Sequence, residues 1–351
     1  MKFTPALAAV VLLSATACST IGDDEPAKND EGKITDVVLA THDSFALPKE
    51  LVKKFETDTG YHLVIRPNGD AGELTSKLVL TKDDPIGDVA FGVDNTFAGR
   101  ATSEDVFAPY DVALPAGADA YALTGDGADT LAPIDNASVC VNVDTDWFKA
   151  HEQAPPKTLD DLTKPAYQDL FVTEGAPTSS PGFAFLLATI AAKGDGWQDY
   201  WTALMDNGTK VVNGWEEAYT GEFTAASKHG TRPIVVSYDS SPAFTINTKA
   251  GTTSTQALLD TCFRQVEYAG VLAGAKNEPG AEAVIEFLLS PEVQAALPEN
   301  MYVFPVRDGV TLPVDWAKFA KQPTETFDVP AADIDANRKQ WLTDWTDITS
   351  K

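Results

Sequence analysis

The segment 35–91 decides the fold. It holds Thr-Asp-Val-Val-Leu-Ala at 35–40, a helical stretch from Pro48 to Thr57, His-Leu-Val-Ile-Arg at 62–66, a second helical stretch from Leu74 to Leu80, and Asp-Val-Ala-Phe at 88–91. Apolar runs of strand length alternate with segments of helical spacing, and Gly60 stands where the first helix should stop. Such a βαβαβ rhythm builds a parallel sheet with helices on its faces. Ligands on these sheets sit beyond the carboxyl ends of the strands, here the loops 41–45, 67–72 and 92–96. Each loop carries an acid, Asp43, Asp70 and Asp94 in turn. A loop Asp is commonly a turn former, and it equally offers a carboxylate to a cation or a hydrogen-bond acceptor to a heterocycle.

Further along, a Gly/Ala/Asp/Pro-rich stretch at 109–135 gives way to Ser-Val-Cys-Val-Asn-Val at 138–143, and the alternation then starts afresh. This reads as a crossing into a second lobe. Strands are expected at 170–173 and 233–238, and helices at 183–192, 197–205 and 216–227. Residues 262–272 read as the return crossing, with helices following at 279–288, after Pro291 and at 332–346. The fold class expected is α/β, a two-lobed type II clamshell with its ligand cleft between the lobes and hinge strands that absorb closure. Residues 34–137 and 263–310 would form lobe 1, and 138–262 with 311–351 lobe 2.

The N-terminus has the form of an export signal: Lys2, an apolar run from Pro5 to Leu13, then Ser14-Ala15-Thr16-Ala17 before Cys18. Residues 1–17 are expected to be removed. Small residues ahead of a cysteine resemble a bacterial lipoprotein cleavage site, with Cys18 as the lipidated first residue and 18–33 a flexible tether, polar and without aromatics. The chain would then be held at the outer face of the membrane by lipid alone, or be periplasmic. The remaining cysteines, Cys140 and Cys262, fall on the two predicted crossings. An isolated pair in an oxidising compartment favours a disulfide over two buried thiols.

With 26 Lys and Arg against 52 Asp and Glu, and a formal charge of −26, the chain lacks the basic footprint that nucleic acid requires. The same acidity suits a cationic ligand, and it equally serves solubility. Neither Gly-x-Ser-x-Gly nor His-Glu-x-x-His occurs, and the four histidines show no ligand spacing with the cysteines. No catalytic residue, metal site or cofactor is expected, and a monomer is the default.

Candidate binding groups concentrate between 178 and 244. Ser179 and Ser180, with Pro181 in the first turn, open a helix whose free amides and dipole favour an anion, although a plain N-cap would use the same residues. Trp215 and Tyr219 are four apart on one helical face, a spacing common in cores and in aromatic cages alike. Tyr238 and Asp239 emerge from the fully apolar run Ile234-Val235-Val236 at a sheet edge.

The segments Thr-Ser-Ser-Pro-Gly (178–182), Gly-Trp-Glu-Glu-Ala-Tyr (214–219) and Ser-Tyr-Asp-Ser-Ser-Pro-Ala (237–243) closely resemble, in this order, those of the solute-binding proteins of thiamine ABC importers. So do His-Asp-Ser-Phe (42–45), Gly-Val-Asp-Asn (92–95), Arg-Gln-Val-Glu-Tyr-Ala (264–269) and Glu-Asn-Met-Tyr-Val-Phe-Pro-Val (299–306). The resemblance runs from about Val37 to the end. It implies an extracellular receptor that binds thiamine, with the mono- and diphosphates as further candidate ligands, and delivers it to a membrane permease. It implies Trp215 as the residue stacking on the ligand, and the Ser-Pro-Gly turn against a phosphate end. Asp43 and Ser44 belong to a motif usually beginning Tyr-Asp-Ser-Phe, where His42 here replaces the aromatic. Tyr238 and the residue after Ser-Pro-Ala would line the site. That residue is Phe244, where a Tyr is often found, and Tyr302 lies where some relatives carry Trp. Ferric receptors of this fold use a consecutive Tyr-Tyr pair, absent here, whereas a polyamine would use the same carboxylates and aromatics. A secreted hydrolase or thiamine-degrading enzyme is the alternative from another class. It finds no nucleophile motif, and Cys140 lies inside an apolar strand where a thiol is inert.

Overall fold

The computed structural model describes residues 27, 33–125 and 127–350. The expected signal segment, Cys18 and nearly all of the tether lie outside the described residues. The first half forms β1 (Asp36–Thr41), α1 (Lys49–Thr59), β2 (His62–Pro67), α2 (Ala71–Leu80), β3 (Val89–Asp94) and α3 (Ala98–Ser103). β1 lies between β2 and β3 and pairs with both in parallel.

The chain continues through β4 (Ala132–Asp144), α4 (Thr145–Ala150), β5 (Phe171–Glu174), α5 (Ser180–Lys193), α6 (Trp197–Asp206), β6 (Lys210–Val212) and β7 (Ile234–Tyr238). A small hairpin, β8 (Ile246–Asn247) and β9 (Thr252–Thr253), precedes β10 (Thr255–Val271). The last elements are α7 (Glu278–Leu288), α8 (Pro291–Asn300), β11 (Phe304–Pro305), α9 (Val314–Phe319) and α10 (Ala331–Thr349). The strand order is β2-β1-β3-β10-β4-β7-β5-β6, with β11 on β4.

β4 and β10 are antiparallel and sit centrally, so the two crossings are neighbouring strands shared by both lobes. All 13 residues of β4 are buried, so both faces of this strand are covered, including the Ser138, Cys140 and Asn142 that alternate with its valines. Cys140 and Cys262 form a disulfide, Cα atoms 4.2 Å apart, that ties these strands together. It closes over an irregular register: Val141 pairs with Leu258 and Val139 with Phe263, so Cys140 alone faces 259–262.

Under β1–β3, Leu39, Phe55, Phe91, Ile285 and Leu288 make one core. α5 is buried along nearly its whole length, and Phe183, Phe185, Trp201 and Val236 fill a second. α10 closes this second core with the edge of Trp345 on Trp201, centroids 5.4 Å apart, and also touches α3.

The helix expected over 216–227 is shorter and of another kind. Residues Glu216–Glu222 form a π-helical turn, closed by the Phe223 N–H on the Ala218 carbonyl at 3.0 Å, and the chain then leaves the helix.

Candidate functional site

At the carboxyl edges of β1, β2, β5 and β7 the two lobes face each other across a narrow cleft, partly continuous with solvent. Its wall includes His42, Ser44, Asp70, Ser180, Trp215, Tyr219, Tyr238, Phe244, Glu267 and Tyr302. The π-helical turn sets the aromatic side. It places Tyr219, fully buried, against one face of Trp215 at 5.0 Å and 12° between planes, while Tyr238 stands 6.3 Å from the indole at 48°. Trp215 Nε1 donates to Ser237 Oγ at 2.8 Å, so the ring is fixed by stacking and a hydrogen bond. Phe244 and Tyr302, 4.5 Å apart, continue the wall. Tyr302 has φ 56°, a left-handed conformation that a non-glycine side chain rarely adopts. Its carbonyl accepts from Ser240 Oγ.

Backbone and carboxylate contacts draw the lobes together at the cleft rim. Asp70 caps its own helix through Ala71 N at 2.6 Å and reaches across to accept from Trp215 N at 2.8 Å. Ser44 Oγ donates to Glu216 Oε1 at 3.2 Å, Asn213 Nδ2 to Glu73 Oε1 at 2.9 Å, and Glu73 N to the Thr178 carbonyl at 3.0 Å. Two glycines permit this approach: a Cβ on Gly72 would lie 2.6 Å from the Thr178 carbonyl carbon, and one on Gly214 would lie 2.8 Å from Asp70 Oδ2.

Eight of the eleven expected binding residues line the cleft: Ser44, Asp70, Ser180, Trp215, Tyr219, Tyr238, Phe244 and Tyr302. The structure places the other three elsewhere. Asp43 accepts from Gly69 N at 2.9 Å, as a loop-bracing residue beside a neighbouring opening. Asp94 is fully buried and caps the turn after β3 through Thr96 and Phe97 N–H groups. Ser179 takes the N-cap position of α5, yet its hydroxyl makes no capping bond. Ser180 Oγ donates to Asp94 Oδ2. The Ser180 hydroxyl at the expected anion site is therefore already engaged.

The sequence reading missed three carboxyls. Glu267, on β10, lines the cleft, and Asp135, its cross-strand partner on β4, lies behind it. Glu174, at the end of β5, is fully buried. Burial pushes Glu267 and Glu174 well above the usual carboxyl range, and the charge of Asp135 pushes Glu267 in the same direction. Burial also raises Asp70, opposed by the N–H bonds from Trp215 and Ala71. None of these four carboxyls has a Lys or Arg ion-pair partner among the described residues. His42, 3.4 Å from Glu267, is pushed down to about 4 by burial and supplies no standing positive charge. Tyr238 stands near three of them, Glu267, Asp70 and Glu174, and burial first and then their charges hold its phenol neutral. Flat aromatic faces beside carboxyls without countercharge suit a planar organic cation.

A two-lobed α/β sheet with a cleft at its strand edges is the architecture that solute-binding proteins use. The sequence profile described as bacterial extracellular solute-binding protein matches residues 84–328, and the chain belongs to that family. It is 30% identical over 321 residues to the thiamine-binding periplasmic protein of Escherichia coli, covering 90% of this chain and 94% of the relative. To the protein of the same name from Brucella melitensis it is 28% identical, covering 93% and 95%. Among solved structures, one described as a periplasmic thiamin binding protein superposes with a TM-score of 0.80 at 27% identity, covering 93% of this chain and all of that one. A ferric binding protein from Campylobacter jejuni superposes at 0.68 with 19% identity, covering 89% and 99%, a likeness of fold alone.

Proposed function

We propose that this solute-binding protein captures thiamine for a membrane ABC permease and carries out no chemistry of its own. The observation that carries the reading is the pairing of Trp215, Tyr238, Phe244 and Tyr302 with Asp70 and Glu267 in one cleft. Flat faces fit two linked heterocycles, and the carboxyls fit a thiazolium charge that no protein cation already satisfies. The thiamine-binding relatives, similar over nine-tenths of the chain, support the same ligand. A ferric ligand finds less support, since the consecutive Tyr-Tyr pair of ferric receptors does not occur in the sequence. A polyamine would satisfy the carboxyls but leave the aromatic faces without a planar partner.

In this reading residues 34–137 and 263–310 form one lobe and 138–262 with 311–351 the other, turning about β4 and β10. Export would be followed by lipidation at Cys18. The monomer delivers ligand in its closed form, and mono- and diphosphates of thiamine are candidate ligands beside the free vitamin. Calorimetric titration of the mature protein with thiamine and with spermidine tests the reading. Saturable one-to-one binding of thiamine and no comparable heat from spermidine are expected; spermidine as the tighter ligand, or no binding of thiamine, would overturn it.

A further inference from the structure

We infer that Glu267 and Asp135 form a proton-sharing pair which the cleft exchanges for the fixed positive charge of its ligand, so that capture of a cationic heterocycle expels a proton. The inference rests on the thiamine reading and assigns a selection device to the same cleft. Glu267 and Asp135 are register partners on the two central strands, with relative exposures of 6% and 1%. The two side chains lie within hydrogen-bond reach of each other, and no other group donates to the buried Asp135 Oδ2. Around the pair stand Asp94 from the end of β3, Asp70 from the start of α2, Tyr238 from the end of β7 and His42 from the loop after β1. His42 is neutral because it is buried.

Two carboxylates buried side by side without a cation cannot both stay ionised, since each charge raises the cost of the other. One proton is therefore retained in the empty cleft. Glu267 lies on the cavity wall, and a quaternary nitrogen arriving there supplies the missing countercharge and lowers the affinity of the pair for its proton, which leaves to solvent. A ligand of the same shape without the fixed charge leaves the pair protonated and gains no such attraction. The device therefore favours charge as well as shape. Linkage fixes the sign: protons released on binding make affinity rise with pH, by up to about tenfold per unit for one proton.

The test is calorimetric titration of the mature protein with thiamine at about pH 7 in two buffers of different ionisation enthalpy, phosphate and Tris, repeated from about pH 6 to about pH 8. Release of roughly half to one proton per thiamine is expected, with affinity rising across the series. The neutral thiophene isostere of thiamine should bind, if it binds, without release. Asp135→Asn and Glu267→Gln should each cut the release by at least half and flatten the pH dependence. Thiamine binding with buffer-independent heat, or with net proton uptake, would overturn this inference and leave the thiamine reading intact. Absence of thiamine binding would overturn both. Unchanged release in a folded variant also counts against the pair, and if both variants fail to fold, the two-buffer comparison on the unaltered protein decides.

Discussion

Trp215 is held on three sides: its backbone N–H by Asp70, its indole N–H by Ser237 and one face by Tyr219. A preorganised ring of this kind loses little freedom when a ligand covers it. Trp215→Ala should weaken thiamine by about 1–3 kcal/mol, the scale of a desolvated aromatic or cation–π contact, read by calorimetry. Ser180→Ala tests a different point. Because its hydroxyl bonds Asp94, its loss should weaken thiamine and thiamine diphosphate by similar factors; a loss confined to the diphosphate would restore the α5 N-terminus as a phosphate seat. At this scale the aromatics were legible because large rings at loop positions require cover. Glu267 and Asp135 were not, since one carboxyl in an apolar strand pattern gives no sign of which partner it meets across the sheet. Glu174 escaped through a one-residue error: the strand expected to end at Thr173 continues through Glu174 and buries it.

Among the elements, the parallel β1–β3 unit and the helices α5, α6, α7 and α10 follow directly from their periodicity and end signals, with ends moved by a few residues. β10 was only partly legible. Its 17 residues include Asp260, Arg264, Gln265 and Glu267, and the pattern breaks where the strand passes from one lobe to the other. The π-helical turn was illegible, because an i,i+5 bond leaves no distinct spacing in a segment of seven residues. The disulfide is the covalent element of this region, its cysteines 122 positions apart in sequence. The Cys140→Ser, Cys262→Ser double variant should lose up to about 4–5 kcal/mol in urea unfolding, the loop-entropy scale for a span of this length. Thiol labelling of the unfolded, unreduced protein should find neither cysteine; two labelled thiols would refute the bridge.

For the whole molecule, the buried acids give stability a definite pH dependence. Asp239 is pushed up to about 7, chiefly by burial, and Asp70, Asp94, Glu174 and Glu267 are raised as well. A carboxyl that holds its proton more tightly when folded stabilises the fold below its unfolded value of about 4, and that contribution is lost as pH rises through the folded value. His42, lowered to about 4, acts in the opposite sense below about 6.5. These raised acids, with Asp135 pushed up to about 8 by burial beside them, outnumber it, and a formal charge of −26 adds self-repulsion once they ionise. The ligand-free protein should therefore melt several degrees higher near pH 5.5 than near pH 8 by differential scanning calorimetry, a difference of about 1–2 kcal/mol. A flat or inverted profile would mean that these acids ionise freely in the folded state.

The four bonds across the cleft rim, Ser44 to Glu216, Trp215 to Asp70, Asn213 to Glu73 and Glu73 to Thr178, also bear on how long a captured molecule stays. At about 0.5–1.5 kcal/mol net each, parting all four costs roughly 2–6 kcal/mol. That slows spontaneous escape by about thirtyfold to about 25,000-fold relative to an unlatched cleft. Ser44, Asp70 and Trp215 serve both the rim and the ligand wall, so dwell and choice of ligand are tied to the same groups, and a transporter that prises the rim apart loosens the hold on its cargo in the same movement.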